Sequence, residues 1–170
     1  FLQNSVDLLD FKTKTKNYEK FRLIPGSGIN LKAYETSSIN TSKRFQFLMV
    51  SRLLKSNGVL EFTEAARLTK DRSPRNCEFI LVGNLESSGK DIIDNYELDS
   101  FRQLDGCTIL PFGQDIGELL HRSSCVVLPS YREGLSRILL EACATGRPIL
   151  TTPAPGCVDL INLDLNGMLS

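Results

Sequence analysis

The stretch "LPSYREGLSRILLEACATGRPIL" at 128–150 decides how this chain reads. Its two ends are apolar and of strand length. Its middle, 135–145, has helical patterning and stops at Gly146 and Pro148, residues that end helices. Two carboxylates interrupt this apolar character: Glu133 at the helix mouth and Glu141 inside it. Eight residues of helix separate them by about 12 Å.

The same alternation of strand and helix extends outward. Apolar runs recur as "FQFLMV" (45–50), "CEFILVG" (77–83), "CTILPF" (107–112), "CVVLPS" (125–130) and "RPILTT" (147–152), most of them closed by Gly, Pro or Ser. They are continuous rather than alternating, as in strands covered on both faces. Between them, 57–70 predicts a helix with Leu60, Ala65, Ala66 and Leu68 on its apolar side. Ile92 to Phe101 is a weaker helix. Asp115 can cap another, with Ile116, Leu119 and Leu120 inward and Glu118 completing a capping box. A short helix is expected within 156–163. Strand–helix–strand repetition implies right-handed crossovers and a parallel sheet. The expected architecture is α/β: a doubly wound, Rossmann-like three-layer α/β/α sandwich with a mostly parallel sheet, opening its ligand crevice at the carboxyl ends of the strands.

Charge and cysteines narrow the function classes. The 170 residues carry 20 basic and 20 acidic side chains, so neither a basic nucleic-acid surface nor an acidic tail is indicated. No apolar run reaches membrane-span length. The five cysteines include no C-x-x-C pair, and His121 stands alone without partners at metal-ligand spacing. They read as reduced thiols of a cytoplasmic protein, in which the sequon "NTS" at 40–42 has no meaning. Both ends read as cut from a longer chain. Residues 1–20 are expected to be an interdomain segment from a missing amino-terminal domain. Residues 21–170 are expected to form the ligand-binding carboxyl-terminal domain, truncated at its end.

The chemistry-bearing residues fall just after the strands. The "LIP" run leads into Gly26, Ser27 and Gly28; "FLMV" into Ser51 and Arg52; "ILV" into Gly83 and Asn84; "VVLPS" into Tyr131 to Gly134; and "PILTT" into 153–156. One sheet edge would then offer glycine backbone, a fixed cation, a carboxylate and helix N-termini, which together suit an anion. A diphosphate fits against the amides of Leu135 and Ser136 beside Gly134. Glu133 would repel phosphate, so it suits a neutral hydroxyl-bearing group. The 12 Å to Glu141 is close to the reach from a diphosphate-linked sugar to a ribose, whose vicinal diol a carboxylate accepts well. A plainer alternative stands beside this one. Glu133 is then a first-turn acid, Glu141 pairs with Arg137 at i,i+4, Arg52 belongs to a surface ion pair, and "PGSG" is an ordinary turn.

Taken together, these segments resemble the carboxyl-terminal half of a GT-B glycosyltransferase of retaining glycosyltransferase family 4. The stretch 128–152 is similar to the family's E-x7-E signature with its alanine-rich helix and "GRP"; "LIPGSGINLKAY", "FLMVSRLLKSNGVLEFTEAA" and "FILVGN" follow the family's order. The opening "FLQN" further resembles bacterial transferases that build capsule, O-antigen or lipid-linked glycans. The resemblance implies that Arg52 and the amides of Leu135 and Ser136 hold the donor diphosphate. It implies that Glu133 contacts the transferred sugar and Glu141 holds the ribose. Gly26, Gly28 and Gly134 would permit close approach, and Asn84 with 111–113 would border the base. Arg52 and Glu133 would be the catalytic pair. The family carries a lysine where Asn57 stands here, which leaves Lys55 as the candidate replacement.

The implied donor is a nucleotide sugar, UDP-linked, used without metal or other cofactor. The implied acceptor is a glycan or lipid-linked acceptor bound by the missing domain, and the transferred unit is a hexose or N-acetylhexosamine. The fragment alone is expected to be monomeric and inactive, cytoplasmic, and in its full-length form peripheral at the inner membrane face. Two alternatives remain open: another GT-B enzyme, such as a sugar-nucleotide epimerase, and a non-enzymatic α/β binding module.

Overall fold

The computed structural model of the chain describes all residues except 17, 40–43, 73–76, 90 and 164, and the side chain of Tyr18. The sequon at 40–42 lies outside the described residues. Among the described residues the five apolar runs become β1 (Phe45–Val50), β2 (Cys77–Val82), β3 (Cys107–Leu110), β4 (Cys125–Leu128) and β5 (Ile149–Thr151), and a sixth strand, β6 (Gly167–Leu169), follows them. They form one parallel sheet in the order β3-β2-β1-β4-β5-β6. The chain works outward from β1 in one direction and from β4 in the other. The order reverses between β1 and β4, and a sheet of this kind opens a crevice at that point. The three-layer α/β sandwich expected from the sequence is therefore present. The strand β6 had no counterpart among the expected strands; its Gly167, Met168 and Leu169 pair with β5.

The helices are α1 (Ser5–Lys14), α2 (Val59–Arg72), α3 (Asn95–Arg102), α4 (Ile116–Arg122) and α5 (Arg137–Thr145). Packing of α2 on α3 and of α4 on α5 separates the two layers. Asp115 caps α4 as expected, its Oδ1 accepting from the Glu118 amide at 3.0 Å. The start of α3 lies later than Ile92: Asp94 and Glu97 form a reciprocal capping box that sets its first turn. The segment at 156–163 contributes only a single 3-10 turn, Val158–Leu160.

Two readings need correction. The inward face of α2 is Val59, Phe62, Thr63, Ala66 and Lys70, whereas Ala65 and Leu68 face solvent. Phe62 explains the rotation. It packs edge-on against Phe79 of β2 at 5.8 Å and against Phe101 of α3 at 6.0 Å, while Phe79 stacks on Phe47 of β1 at 4.9 Å. Burying a phenylalanine gains about 1.5–3 kcal/mol, more than burying the alanine at 65 could return. The "LIP" run is also not a sheet strand. It makes an isolated parallel bridge, with the Leu2 amide donating to Arg22 O and the Ile24 amide to Leu2 O. Gly26 and Gly28 consequently do not follow a strand of the sheet.

Candidate functional site

A cleft of about 460 Å³ opens where β1 and β4 diverge. Among the described residues its walls include Ser51, Arg52 and Asn57 after β1, Phe112 and Gly113 after β3, and Glu133, Ser136, Arg137 and Glu141 around the start of α5. Val50 and Leu128 form an apolar floor at the ends of the two central strands, and Tyr34 closes one side.

Local sequence explains why β4 ends in a rigid loop. Ser130 donates through Oγ to Glu133 Oε1 at 2.9 Å, and the Glu133 amide donates to Pro155 O at 3.1 Å. Gly156, with φ +78°, lies against the carbonyls of Glu133 and Gly134, where a Cβ would collide with backbone. On the β1 side, the carbonyl of Arg52 accepts from Ser51 Oγ at 3.0 Å and from Asn57 Nδ2 at 2.9 Å. The Tyr131 amide donates to Ser56 O at 2.9 Å and joins the two loops.

The electrostatics differ between the two ends of the cleft. Burial pushes the Glu133 carboxyl above the usual carboxylate range, opposed by the Ser130 hydroxyl and the Arg52 charge. Glu141 is 6% exposed, yet it lines the cleft and accepts from Arg137 Nε at 2.9 Å. The Tyr34 hydroxyl also reaches Glu141 and Arg137; burial, then the Glu141 bond, raises its pKa. Between these ends lies the N-terminus of α5. Ser136 caps it and is buried, but its side chain makes no capping hydrogen bond. Terminal amides and a hydroxyl are thus presented where a helix attracts anions.

The residues singled out from the sequence separate into two groups. Arg52, Glu133, Ser136 and Glu141 share the cleft. Gly26, Gly28, Lys55, Asn84, Gly134 and Leu135 are not among its lining residues. Gly26 packs against the Leu135 side chain, and Gly28 faces open space. Asn84 turns its Oδ1 to the Phe112 amide at 3.1 Å, which shapes the wall without forming it. Lys55 is the clearest departure: its Nζ pairs with Glu97 Oε1 at 2.7 Å, held by the turn that binds Asp91. Sequence reasoning missed Tyr34 altogether and gave Arg137 only a structural role. Tyr34 gave no periodic signal because it lies in an irregular segment delivered by distant contacts. Thr36 Oγ1 donates to Ala144 O at 3.4 Å, Ser37 Oγ meets His121 Nδ1 at 2.9 Å, and buried Arg147 donates to Ser37 Oγ at 2.7 Å.

Comparison with known proteins identifies this arrangement. The chain is 33% identical over 163 residues to the N,N'-diacetylbacillosaminyl-diphospho-undecaprenol alpha-1,3-N-acetylgalactosaminyltransferase of Campylobacter jejuni, covering 88% of this chain and 40% of that protein. It is 32% identical over 126 residues to the UDP-Gal:alpha-D-GlcNAc-diphosphoundecaprenol alpha-1,3-galactosyltransferase of Escherichia coli, covering 74% of this chain and 32% of that protein. The chain therefore spans less than half the length of these relatives. Its fold matches Anabaena HepE in complex with UDP-glucose with a TM-score of 0.81 at 21% identity, covering 99% of this chain and 48% of that one. The profile of the family described as "Glycosyl transferases group 1" matches residues 33–170, and the chain belongs to that family.

Proposed function

We propose that this chain is the donor-binding half of a retaining glycosyltransferase that uses a UDP-linked hexose or N-acetylhexosamine. One observation carries the reading: Arg52, Glu133, Glu141 and the α5 N-terminus line a single cleft at the sheet's switch point. The diphosphate lies against Ser136 and the α5 amides, with Arg52 beside it. As the sugar–phosphate bond breaks, charge accumulates on the leaving diphosphate. Arg52 and the helix terminus oppose that charge in a partly desolvated site, which lowers the barrier. Glu133 accepts from a sugar hydroxyl. Glu141 accepts from the ribose diol, held in place by Arg137 and Tyr34.

The relatives act on undecaprenyl-linked sugars. The acceptor proposed here is likewise a lipid-linked glycan, placed by parts of such transferases outside the matched segment. Among the described residues no helix is long and apolar enough to cross a membrane. The proposed setting is the cytoplasmic face of a membrane, approached peripherally.

Calorimetry with UDP tests the reading. Saturable binding is expected, weakened at least tenfold by Glu141→Ala. Absence of binding, or binding indifferent to that substitution, overturns it.

A further inference from the structure

Residues 3–7, assigned from the sequence to an interdomain segment, grip the loop that carries Glu133. Asn4 is 2% exposed. Its Oδ1 accepts from the Asp7 amide at 2.7 Å and so caps α1. Its Nδ2 lies 3.1 Å from Glu133 O, 3.0 Å from Gly134 O and 2.9 Å from Asp7 Oδ2. Two amide protons are therefore shared among three oxygens, two of them backbone carbonyls that precede α5. Asp7 continues the contact by pairing with Arg132, the residue before Glu133. Gln3 lies over the face of Gly134 that a side chain would occupy.

With the Glu133 amide already bound to Pro155 O, its backbone is fixed on both sides: at N–H from the β5 loop and at C=O from Asn4. The side-chain contact from Ser130 fixes the remaining freedom. Without Asn4 the two carbonyls would be left in a partly buried place with no side-chain donor, and such groups turn to find one. Turning the Glu133–Gly134 peptide would swing the Glu133 carboxylate.

We propose that Asn4, supported by Asp7 and Arg132, is a positioning residue for Glu133 and sets where the sugar end of the donor is held. This rests on the nucleotide-sugar reading above. Glu133 serves the sugar and Glu141 the nucleoside, so the grip acts on one end of the donor only. Movement of the 3–7 segment would reach the site by the same route.

The test compares UDP with UDP-N-acetylgalactosamine as calorimetric probes on the chain and on its N4A, D7A, E133A and N4A/E133A variants. It is joined by hydrogen exchange without nucleotide. D7A removes the Arg132 pair and one acceptor of Asn4 while leaving the Asn4 contacts to the carbonyls, so it remains informative if N4A folds poorly. Expected for N4A is at least tenfold faster exchange at amides 131–135, with β4 and the interior of α5 unchanged. Affinity for UDP-N-acetylgalactosamine should fall about tenfold, with UDP held within twofold. D7A should move both in the same direction by less, and N4A should add nothing to E133A. Equal losses for both probes, no loss for either, additivity with E133A, or unchanged exchange at 131–135 overturn the inference while leaving the parent reading standing. Wild-type chain that binds no UDP overturns both.

Discussion

Arg137 holds Glu141 across one turn of α5, with Nε 2.9 Å from Oε1, and both side chains face the same cleft. The plain i,i+4 pair expected as an alternative to a ribose contact is therefore present, and the carboxylate it holds is also a wall of the site. Arg137→Ala removes a charged donor from a nearly buried acceptor. Stability should fall, read from the urea midpoint, but only modestly, because Arg137 is itself exposed and the Tyr34 hydroxyl still reaches Glu141. In a Glu141→Gln background the same substitution should cost little, because the carboxylate that needed the donor is gone. An equal cost in both backgrounds would show that Arg137 acts through packing instead.

The raised pKa of Glu133 gives a pH signature. Burial favours its protonated form in the folded chain, so folded protein binds this proton more tightly than unfolded protein. Its contribution to stability then falls as pH rises from the ordinary glutamate value to the raised one, and levels off above. In the proposed donor site a sugar hydroxyl would donate to the ionised form. Affinity for UDP-N-acetylgalactosamine, relative to UDP, should accordingly rise with pH through that raised value. Ser130→Ala removes a hydrogen bond that lowers the pKa and should move the midpoint upward. Glu133→Gln should flatten the profile. A midpoint that stays put in Ser130→Ala refutes the assignment of this titration to Glu133.

Gly156 is a backbone requirement of the site. Its φ is +78°, and a Cβ would run into the carbonyls of Glu133 and Gly134. Gly156→Ala in the native conformation carries a left-handed strain of about 1–2 kcal/mol and also drives its Cβ into the Glu133 loop, which must move. The expected result is a chain with native circular dichroism, lower thermal stability and UDP-N-acetylgalactosamine affinity reduced at least tenfold. Unaltered affinity would mean that the loop can shift without consequence.

Arg147 ties the Tyr34 segment to the body of the domain. It is 2% exposed and donates to Ser37 Oγ at 2.7 Å, Ser123 O at 3.1 Å and Thr145 O at 3.3 Å. Arg147→Met keeps much of the volume and removes every donor. Leaving those acceptors unpaired should cost about 1–3 kcal/mol in chemical denaturation. Loosening 34–37 should also weaken UDP binding severalfold, as Tyr34→Phe should do without the loss of stability. Retained UDP affinity in Arg147→Met would detach Tyr34 from the nucleotide.

What could be read from the chain itself was whatever local geometry fixes. Strand length, continuous apolarity and Gly or Pro stops placed five strands close to where they form. The i,i+4 spacing put Arg137 beside Glu141 on α5, and position after a strand placed Arg52 and Glu133 at the carboxyl edge. The helix of about 12 Å expected between Glu133 and Glu141 did not form, because α5 begins only at Arg137 and leaves Glu133 in the loop before it. Tertiary packing decided the rest, because it depends on which distant segments meet. It turned α2 to bury Phe62 between Phe79 and Phe101, gave Lys55 to Glu97, and brought Tyr34 over Glu141 through contacts more than 80 residues apart in sequence. It also laid Asn4 under the carbonyl of a glutamate 129 positions away. A residue's spacing along one helix is set by backbone geometry that every sequence shares. The choice of partner across the fold is set by shape and unsatisfied hydrogen-bonding groups, which exist only once the layers have come together.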